Sequence, residues 1–108
     1  MYKDYIKERE GKDTLETEYG FIIYELTEND LFIGDIYVKP EFRKQSIGKT
    51  LMDTVESYAK TLNVKIAYAM VDTRALNFND SLSFGLSIGY NIHRITDNRL
   101  IFLKKELK

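Results

Sequence analysis

No cysteine occurs in the 108 residues, so there is no disulfide framework, no thiolate metal site and no cysteine nucleophile. The single histidine, His93, cannot assemble a tetrahedral zinc site, which wants several nitrogen or sulfur ligands, and no metal is expected. No apolar run approaches the roughly 18 residues of a membrane helix. The opening residues, Met1 to Glu8, are too charged for a signal peptide, so a cytoplasmic location is the default expectation. Neither sign of charge dominates: 16 Lys and Arg against 17 Asp and Glu leave a net charge of −1. No global field therefore recruits nucleic acid. Internal repeats, low-complexity tracts and linkers are also missing.

What is present reads as one soluble domain over residues 1–108, 44% hydrophobic and 31% charged. Tyr2 to Lys12 carries few apolar anchors and reads as a short, weak helix ended by Gly11. Thr14 to Leu26 and Leu31 to Val38 are strand-like and make an antiparallel hairpin across Thr27–Asp30. Gly34, inside the second strand, marks a bulge or a close backbone approach. Ile47, Leu51, Val55, Tyr58, Ala59 and Leu62 recur at helical spacing. Ser46 is the expected N-cap of that helix, and Glu56 with Lys60 forms an i,i+4 pair on its wet side. Val64 to Val71 is an almost unbroken apolar strand, and the helix before it makes a parallel crossover. Tyr90–Ile95 and Leu100–Leu107 form a closing hairpin across Thr96–Asn98. Between them, Asn77 to Asn91 alternates as a strand would, yet also winds into a helix with one broad apolar arc, capped by Asp80 and ended by Gly89. Periodicity leaves both readings open.

Two motifs fail on their chemistry. Gly48-Lys49-Thr50 is the tail of a phosphate-binding Walker loop, but its first glycine position holds Arg43, whose side chain crowds the loop. Gly85-Leu86-Ser87-Ile88-Gly89 has the spacing of a nucleophile elbow. His93 then precedes Asp97, which is the wrong order for the acid and base, and a buried turn of small residues is the better reading.

The most informative stretch is Asp35 to Leu51. A strand runs through a Pro-Glu turn into a loop crowded by Lys39, Arg43, Lys44 and Lys49, then into a helix. Unpaired backbone N–H groups and a helix N-terminus there converge on one point, which favours an anion such as phosphate. Arg43-Lys44-Gln45-Ser46-Ile47-Gly48 fits the pattern [Q/R]-x-x-G-x-[G/A], with Ser46 in place of the first glycine. Here the chain resembles the GNAT superfamily of acyl-CoA-dependent N-acetyltransferases. Asn77 to Tyr90 continues the resemblance, matching that family's N-x-x-A-x-x-F-Y-x-x-x-G-F segment at Phe84, Ile88, Gly89 and Tyr90.

The resemblance spans roughly residues 14–105 and implies an α/β (α+β) fold: a mixed, mostly antiparallel central sheet with flanking helices and a splayed cofactor slot. The family's early helices are reduced. It implies acetyl-CoA as co-substrate, its pyrophosphate on Gln45, Ser46, Ile47 and Gly48, with Arg43, Lys44, Lys49 and Thr50 nearby. The pantetheine arm would lie against Tyr37 and Val38, with Asn77 and Phe84 completing the cofactor site. The activity implied is direct acetyl transfer to a primary amine: a protein lysine, an N-terminus or a small amine. Asp35 is the candidate base and Tyr90 a candidate acid, because Gly85 holds the position where the family often has its tyrosine. Tyr37 and Tyr68 are the other tyrosines available. The rival reading is a catalytically degenerate scaffold that binds coenzyme A or a protein partner. The short N-terminal region leaves the acceptor side open to a large substrate, or to a homodimer that completes the site.

Overall fold

The segment expected as one strand over Thr14–Leu26 folds as two. Thr17 turns the chain: its N–H and hydroxyl both donate to the Gly20 carbonyl, at 2.8 and 3.2 Å, and its Oγ1 accepts the Tyr19 N–H. Side-chain bonds of this kind mimic a backbone turn, a signal that a β-branched residue inside a strand-like run conceals. The computed structural model describes the backbone of residues 1–108 and every side chain except those of Tyr2 and Ile6.

Helix α1 (Tyr2–Glu10) ends where Gly11 turns left-handed at φ 70°, its N–H returning to the Lys7 carbonyl. Strands β1 (Asp13–Glu16), β2 (Gly20–Leu26) and β3 (Asp30–Val38) follow as an antiparallel meander. A 3-10 turn (Pro40–Phe42) leads into α2 (Ile47–Thr61), then β4 (Ile66–Asp72), α3 (Phe78–Ser87), β5 (Asn91–Ile95) and β6 (Leu100–Glu106). The sheet order is β1-β2-β3-β4-β6-β5, and only β3 and β4 run parallel, joined by the α2 crossover. This is the expected mixed, mostly antiparallel sheet.

The ambiguous segment is the helix α3. Asn77 stands at its N-cap position, not Asp80, and its carbonyl takes the Asp80 and Ser81 N–H groups. Gly89, at φ 102°, lets the chain reverse so that the Tyr90 N–H reaches the Gly85 carbonyl at 3.0 Å. Tertiary packing decided against the alternating pattern: Phe78, Leu82, Phe84 and Ile88 pack on the core.

Both α2 and α3 cover one face of the sheet. Its core is Ile22, Leu31, Ala67, Val71, Ile101 and Leu103 below, with Leu51, Met52, Val55 and Ala59 of α2 above. Two expectations for α2 are corrected. Tyr58 and Leu62 are half exposed, whereas Glu56, read as a solvent-side partner of Lys60, is buried at 4% exposure. Its carboxylate accepts from Lys105 Nζ at 2.8 Å and from the Tyr90 hydroxyl at 2.9 Å.

The opposite sheet face has α1 packed at the β1 end, where Thr14 and Ile23 are buried. Farther along it carries Phe32, Tyr68, Met70 and Phe102 at alternate strand positions, and Phe32 and Met70 remain 39% and 50% exposed. Among the described residues, no helix is long and apolar enough to cross a membrane.

Candidate functional site: a fork between two strands and an amide cradle at its mouth

Strands β3 and β4 pair only from Asp30 with Ile66 to Ile33 with Ala69, yet β3 continues to Val38 and β4 to Asp72. The sheet therefore opens as a fork just past Ile33 and Ala69. The bulge at Gly34 causes the divergence. Ile23 pairs with Asp35 and Tyr24 with Ile33, so Gly34 is the extra residue that bends β3.

Backbone groups of β3 line the fork. The Gly20 carbonyl is taken by Thr17 on the β1 side, so its partner Val38 turns its own backbone groups away from β2 and into the opening. Ile36, two residues back, points the same way. Both are capped by side chains: the Ile36 N–H donates to Asp35 Oδ1 at 2.9 Å, and Arg43 Nε donates to the Val38 carbonyl at 2.9 Å. The Arg43 guanidinium also lies over the Tyr37 ring, 5.7 Å from its centroid.

At the mouth of the fork, Lys44 and Ser46 are both left-handed, at φ 64° and 63°, around Gln45. Alternating hands of this kind turn successive N–H groups into a concave anion nest. Among the described residues, the backbone N–H groups of Lys44 to Lys49 have no acceptor, and the first bond into α2 is from the Thr50 N–H to the Ser46 carbonyl. Ser46 holds the N-cap position as expected, but its side chain makes no capping bond. The family's glycine would sit there without strain. Left-handed conformation costs a non-glycine residue about 1–2 kcal/mol, more than glycine loses in unfolded-state entropy, about 0.4–1 kcal/mol. Ser46→Gly is expected to raise the melting temperature by a few degrees in a calorimetric scan, with the cradle intact.

The other residues singled out in the sequence divide into two groups. Gly48 and Phe84 come together: a Cβ at Gly48 would lie 3.3 Å from Phe84 Cζ and 4.0 Å from Val38 Cγ2. The end of β3, the first turn of α2 and α3 thus meet under the cradle. Lys49 pairs with Asp53 at 2.9 Å, which holds its ammonium above the usual lysine range, and the Thr50 hydroxyl bonds the Ser46 carbonyl at 3.0 Å. Gln45 reaches back to the Glu41 carbonyl. Asn77 sits at φ 65° on the start of α3.

Tyr90 is the correction. It is 2% exposed, and its hydroxyl donates to the buried Glu56. Burial, with the Glu56 carboxylate adding to it, pushes its ionisation far above the ordinary tyrosine value. A hydroxyl so placed anchors the core and does not face the fork. Gly85 shows why no tyrosine takes its place: a Cβ there would lie 2.7 Å from Leu103 Cδ1, so Leu103 already fills that volume. Gly85→Tyr is expected to lower stability by about 1–3 kcal/mol through overpacking, read from the denaturation midpoint.

A depression of about 330 Å³ on the sheet face opposite α2 and α3, to which the sequence gives no role, is lined by Phe32, Ile33, Tyr68, Met70, His93 and Arg94 among others. Ile33 is one of the last paired residues, so the depression adjoins the closed end of the fork. Phe32 stacks on Tyr68 at 5.4 Å between centroids, and the Tyr68 ring meets His93 edge-on at 6.2 Å. Arg94 lies over the Phe102 ring at 5.1 Å. The available signal was apolar side chains at both alternate positions of β3 and β4. In Val64 to Val71 that pattern is the one expected of a strand buried on both faces.

The acetyltransferase (GNAT) family profile matches residues 13–84, two thirds of the chain. The fold, with its forked parallel pair and a basic loop leading into a helix with Gly48 on its first turn, agrees, and the chain belongs to that family. No curated protein matches the sequence. Among solved structures, the Thermoplasma acidophilum PaiA N-acetyltransferase in complex with coenzyme A superposes with a TM-score of 0.76 at 22% identity, over 94% of this chain and 65% of that one. A GNAT family acetyltransferase from Elizabethkingia anophelis with acetyl-CoA bound gives 0.75 at 18% identity, over 97% and 83%. The anti-CRISPR protein AcrVA5 gives 0.69 at 21% identity, over 84% of this chain and 96% of that one. At these identities the likeness is one of fold. The chain spans slightly less than two thirds of the Thermoplasma protein and 64% of a similar Klebsiella pneumoniae chain.

Proposed function

We propose that this chain is an acetyl-CoA-dependent N-acetyltransferase that passes the acetyl group directly to a primary amine. The observation that carries the reading is the alignment of fork and cradle: a row of free N–H groups from Lys44 to Lys49 opens beside the fork-facing backbone of Ile36 and Val38. A pyrophosphate would sit on the row, with Arg43, Lys44 and Lys49 as counter-charges. Pantetheine amides would take over the Ile36 N–H and the Val38 carbonyl, so Asp35 and Arg43 are released as the cofactor enters. Coenzyme A or acetyl-CoA bound to two solved structures of the same fold supports this occupant.

Asp35 is the proposed base. It pairs with Ile23, which places its side chain on the sheet face opposite α2 and α3, beside Gly34 and on the same face as the aromatic depression. An amine arriving there as an ammonium gives a proton toward the Asp35 carboxylate, directly or through water, and its lone pair attacks the thioester carbonyl. The C–N bond forms, the C–S bond breaks, and the thiolate leaves and takes, through water, the second proton that the amine nitrogen sheds. No tyrosine acid is required.

Asp35→Asn is expected to lower kcat about 10²–10⁴-fold at neutral pH, as removal of a general base does. The deficit narrows as pH rises toward the amine pKa near 10.4, where the neutral amine is supplied by solvent. Thiol release followed across pH reads this directly, and a deficit that stays constant with pH would remove Asp35 from the role. A second reading, a scaffold that binds the cofactor without turnover, draws on the volume behind Gly85 being filled by Leu103. Thermal stabilisation by acetyl-CoA without thiol release on any amine would favour it.

A further inference from the structure

Gly11 ends α1, and Lys12 follows it on the way into β1. The Lys12 side chain is half-buried and carries its ammonium across β2 to the bulge in β3. There a Cβ on Gly34 would lie 3.6 Å from Lys12 Nζ and 3.7 Å from Cγ2 of Ile23 on the intervening strand. The ammonium therefore stands on the sheet face opposite α2 and α3, at the first residue past the closed end of the fork and beside Asp35. Among the described residues it has neither a hydrogen-bond acceptor nor an ion-pair partner. The carboxylates around it are engaged elsewhere: Asp13 pairs with Lys7 at 3.3 Å, and Asp35 Oδ1 accepts from the Ile36 N–H at 2.9 Å. Lysine is seldom drawn out of water without a partner, so an unpaired ammonium at this spot calls for a use.

We infer that Lys12 is itself an acceptor of the acetyl group, modified within its own chain. The inference rests on the acetyltransfer reading and names one amine for it. A pantetheine arm laid along Val38 and Ile36 points its thioester toward the closed end, where Asp35 and Gly34 come next. Lys12 already holds a primary amine there, so no second molecule need be brought in and much of the entropic cost of encounter is prepaid. The same binding event frees the base, because the arm takes over the Ile36 N–H that Asp35 now holds. Asp35 then accepts one proton from the Lys12 ammonium, and the Nζ lone pair attacks the thioester carbonyl. The N–C bond forms, the C–S bond breaks, and the thiolate takes, through water, the second proton that the nitrogen sheds. The products are an acetylated Lys12, free coenzyme A and the proton that Asp35 returns to solvent. Lys7 and Lys49 are poorer acceptors, since an aspartate holds each of them as the ammonium.

The test incubates the intact protein with acetyl-CoA and no added amine, and follows thiol release together with the mass of the chain. Release is expected to stop once each chain carries a single acetyl group, which peptide mapping places on Lys12. The rate should not change when the protein is diluted, and should exceed that at the other lysines by at least about a hundredfold. Lys12→Arg keeps the charge and should release no thiol under these conditions. Asp35→Asn should slow the step about 10²–10⁴-fold. Excess coenzyme A, which carries no acyl group, should protect Lys12 by occupying the fork, whereas slow chemical acetylation of exposed lysines from solution is indifferent to it. Acetylation of an added amine such as 2-phenylethylamine, with Lys12 left unmodified, keeps the transfer reading and overturns this inference. Acetyl groups spread over many lysines, or a rate at Lys12 that rises with protein concentration, overturn it as well. If neither Lys12 nor any added amine is acetylated while acetyl-CoA still raises the melting temperature, transfer itself falls and the inference with it.

Discussion

Gly48→Leu is expected to abolish stabilisation of the protein by acetyl-CoA while leaving it folded. The reason for glycine here is contact and not backbone freedom, because Gly48 has no positive φ. Its Cα faces Phe84, and an added Cβ would lie 3.3 Å from Cζ and 3.4 Å from Cε1, tighter than ordinary van der Waals contact. Leucine must therefore displace Phe84 or turn into the space above the free N–H groups of Lys44 to Lys49. Either movement disturbs the cradle. Overpacking costs about 1–3 kcal/mol, and leucine recovers up to about 1 kcal/mol of helix propensity over glycine. The apo protein then melts within several degrees of the parent. A ligand at a hundred times its dissociation constant stabilises by about 2.7 kcal/mol, which moves the midpoint of a domain this size by roughly 10–20 °C. That shift, present in the parent, should vanish in Gly48→Leu. The double change Gly48→Ala with Phe84→Leu makes room for the methyl group and should keep much of the shift. If Gly48→Leu still responds fully to acetyl-CoA, the pyrophosphate is not held on these amides.

The cradle and the fork were legible in the sequence for a physical reason. An apolar strand, a turn, a small residue at Gly48 and an amphipathic helix are local features, and their order alone brings the strand end to the helix start. Gly34 announced its bulge because a residue without a side chain is the one that a strand can spare. What the sequence hid depends on pairs distant along the chain. Asp80 and Gly89 gave α3 reasonable ends, but the choice of helix over strand came from Phe84 on Gly48 and from Leu103 filling the space at Gly85. Tyr90 suited an acid by its place in a motif, and its burial against Glu56 follows only once α2, α3 and β6 are packed together. The aromatic depression was concealed by composition. A strand with apolar residues on both faces is the pattern of a fully covered strand, and nothing local tells that one face of β4 lacks a helix.

Glu56→Ala is expected to cost about 3–5 kcal/mol, because it leaves its charged partner without compensation. Glu56 is 4% exposed and joins three elements: α2 itself, Lys105 on β6, and Tyr90 after α3. Lys105 Nζ also donates to the Ile88 carbonyl at 2.8 Å and lies 5.6 Å from the Tyr90 ring centroid. Without the carboxylate, the ammonium loses its counter-charge and the tyrosine hydroxyl its acceptor, each at a cost of desolvation. A domain of this size has about 5–15 kcal/mol in total, so urea denaturation should show the midpoint falling by about a fifth or more. Glu56→Gln keeps one acceptor oxygen for Lys105 and offers its amide N–H to the Tyr90 oxygen in place of the second acceptor, and a smaller loss is expected from it. The triple change Glu56→Leu, Lys105→Met, Tyr90→Phe removes every polar group of the network at once, and by the same reasoning should recover most of the loss. If it unfolds as readily as Glu56→Ala, the network contributes net stability beyond the cost of leaving its members unpaired. None of these positions faces the fork, so thiol release per folded molecule should follow the folded fraction in each variant. That separates Tyr90 as a core anchor from Tyr90 as an acid: Tyr90→Phe should lose stability and keep kcat.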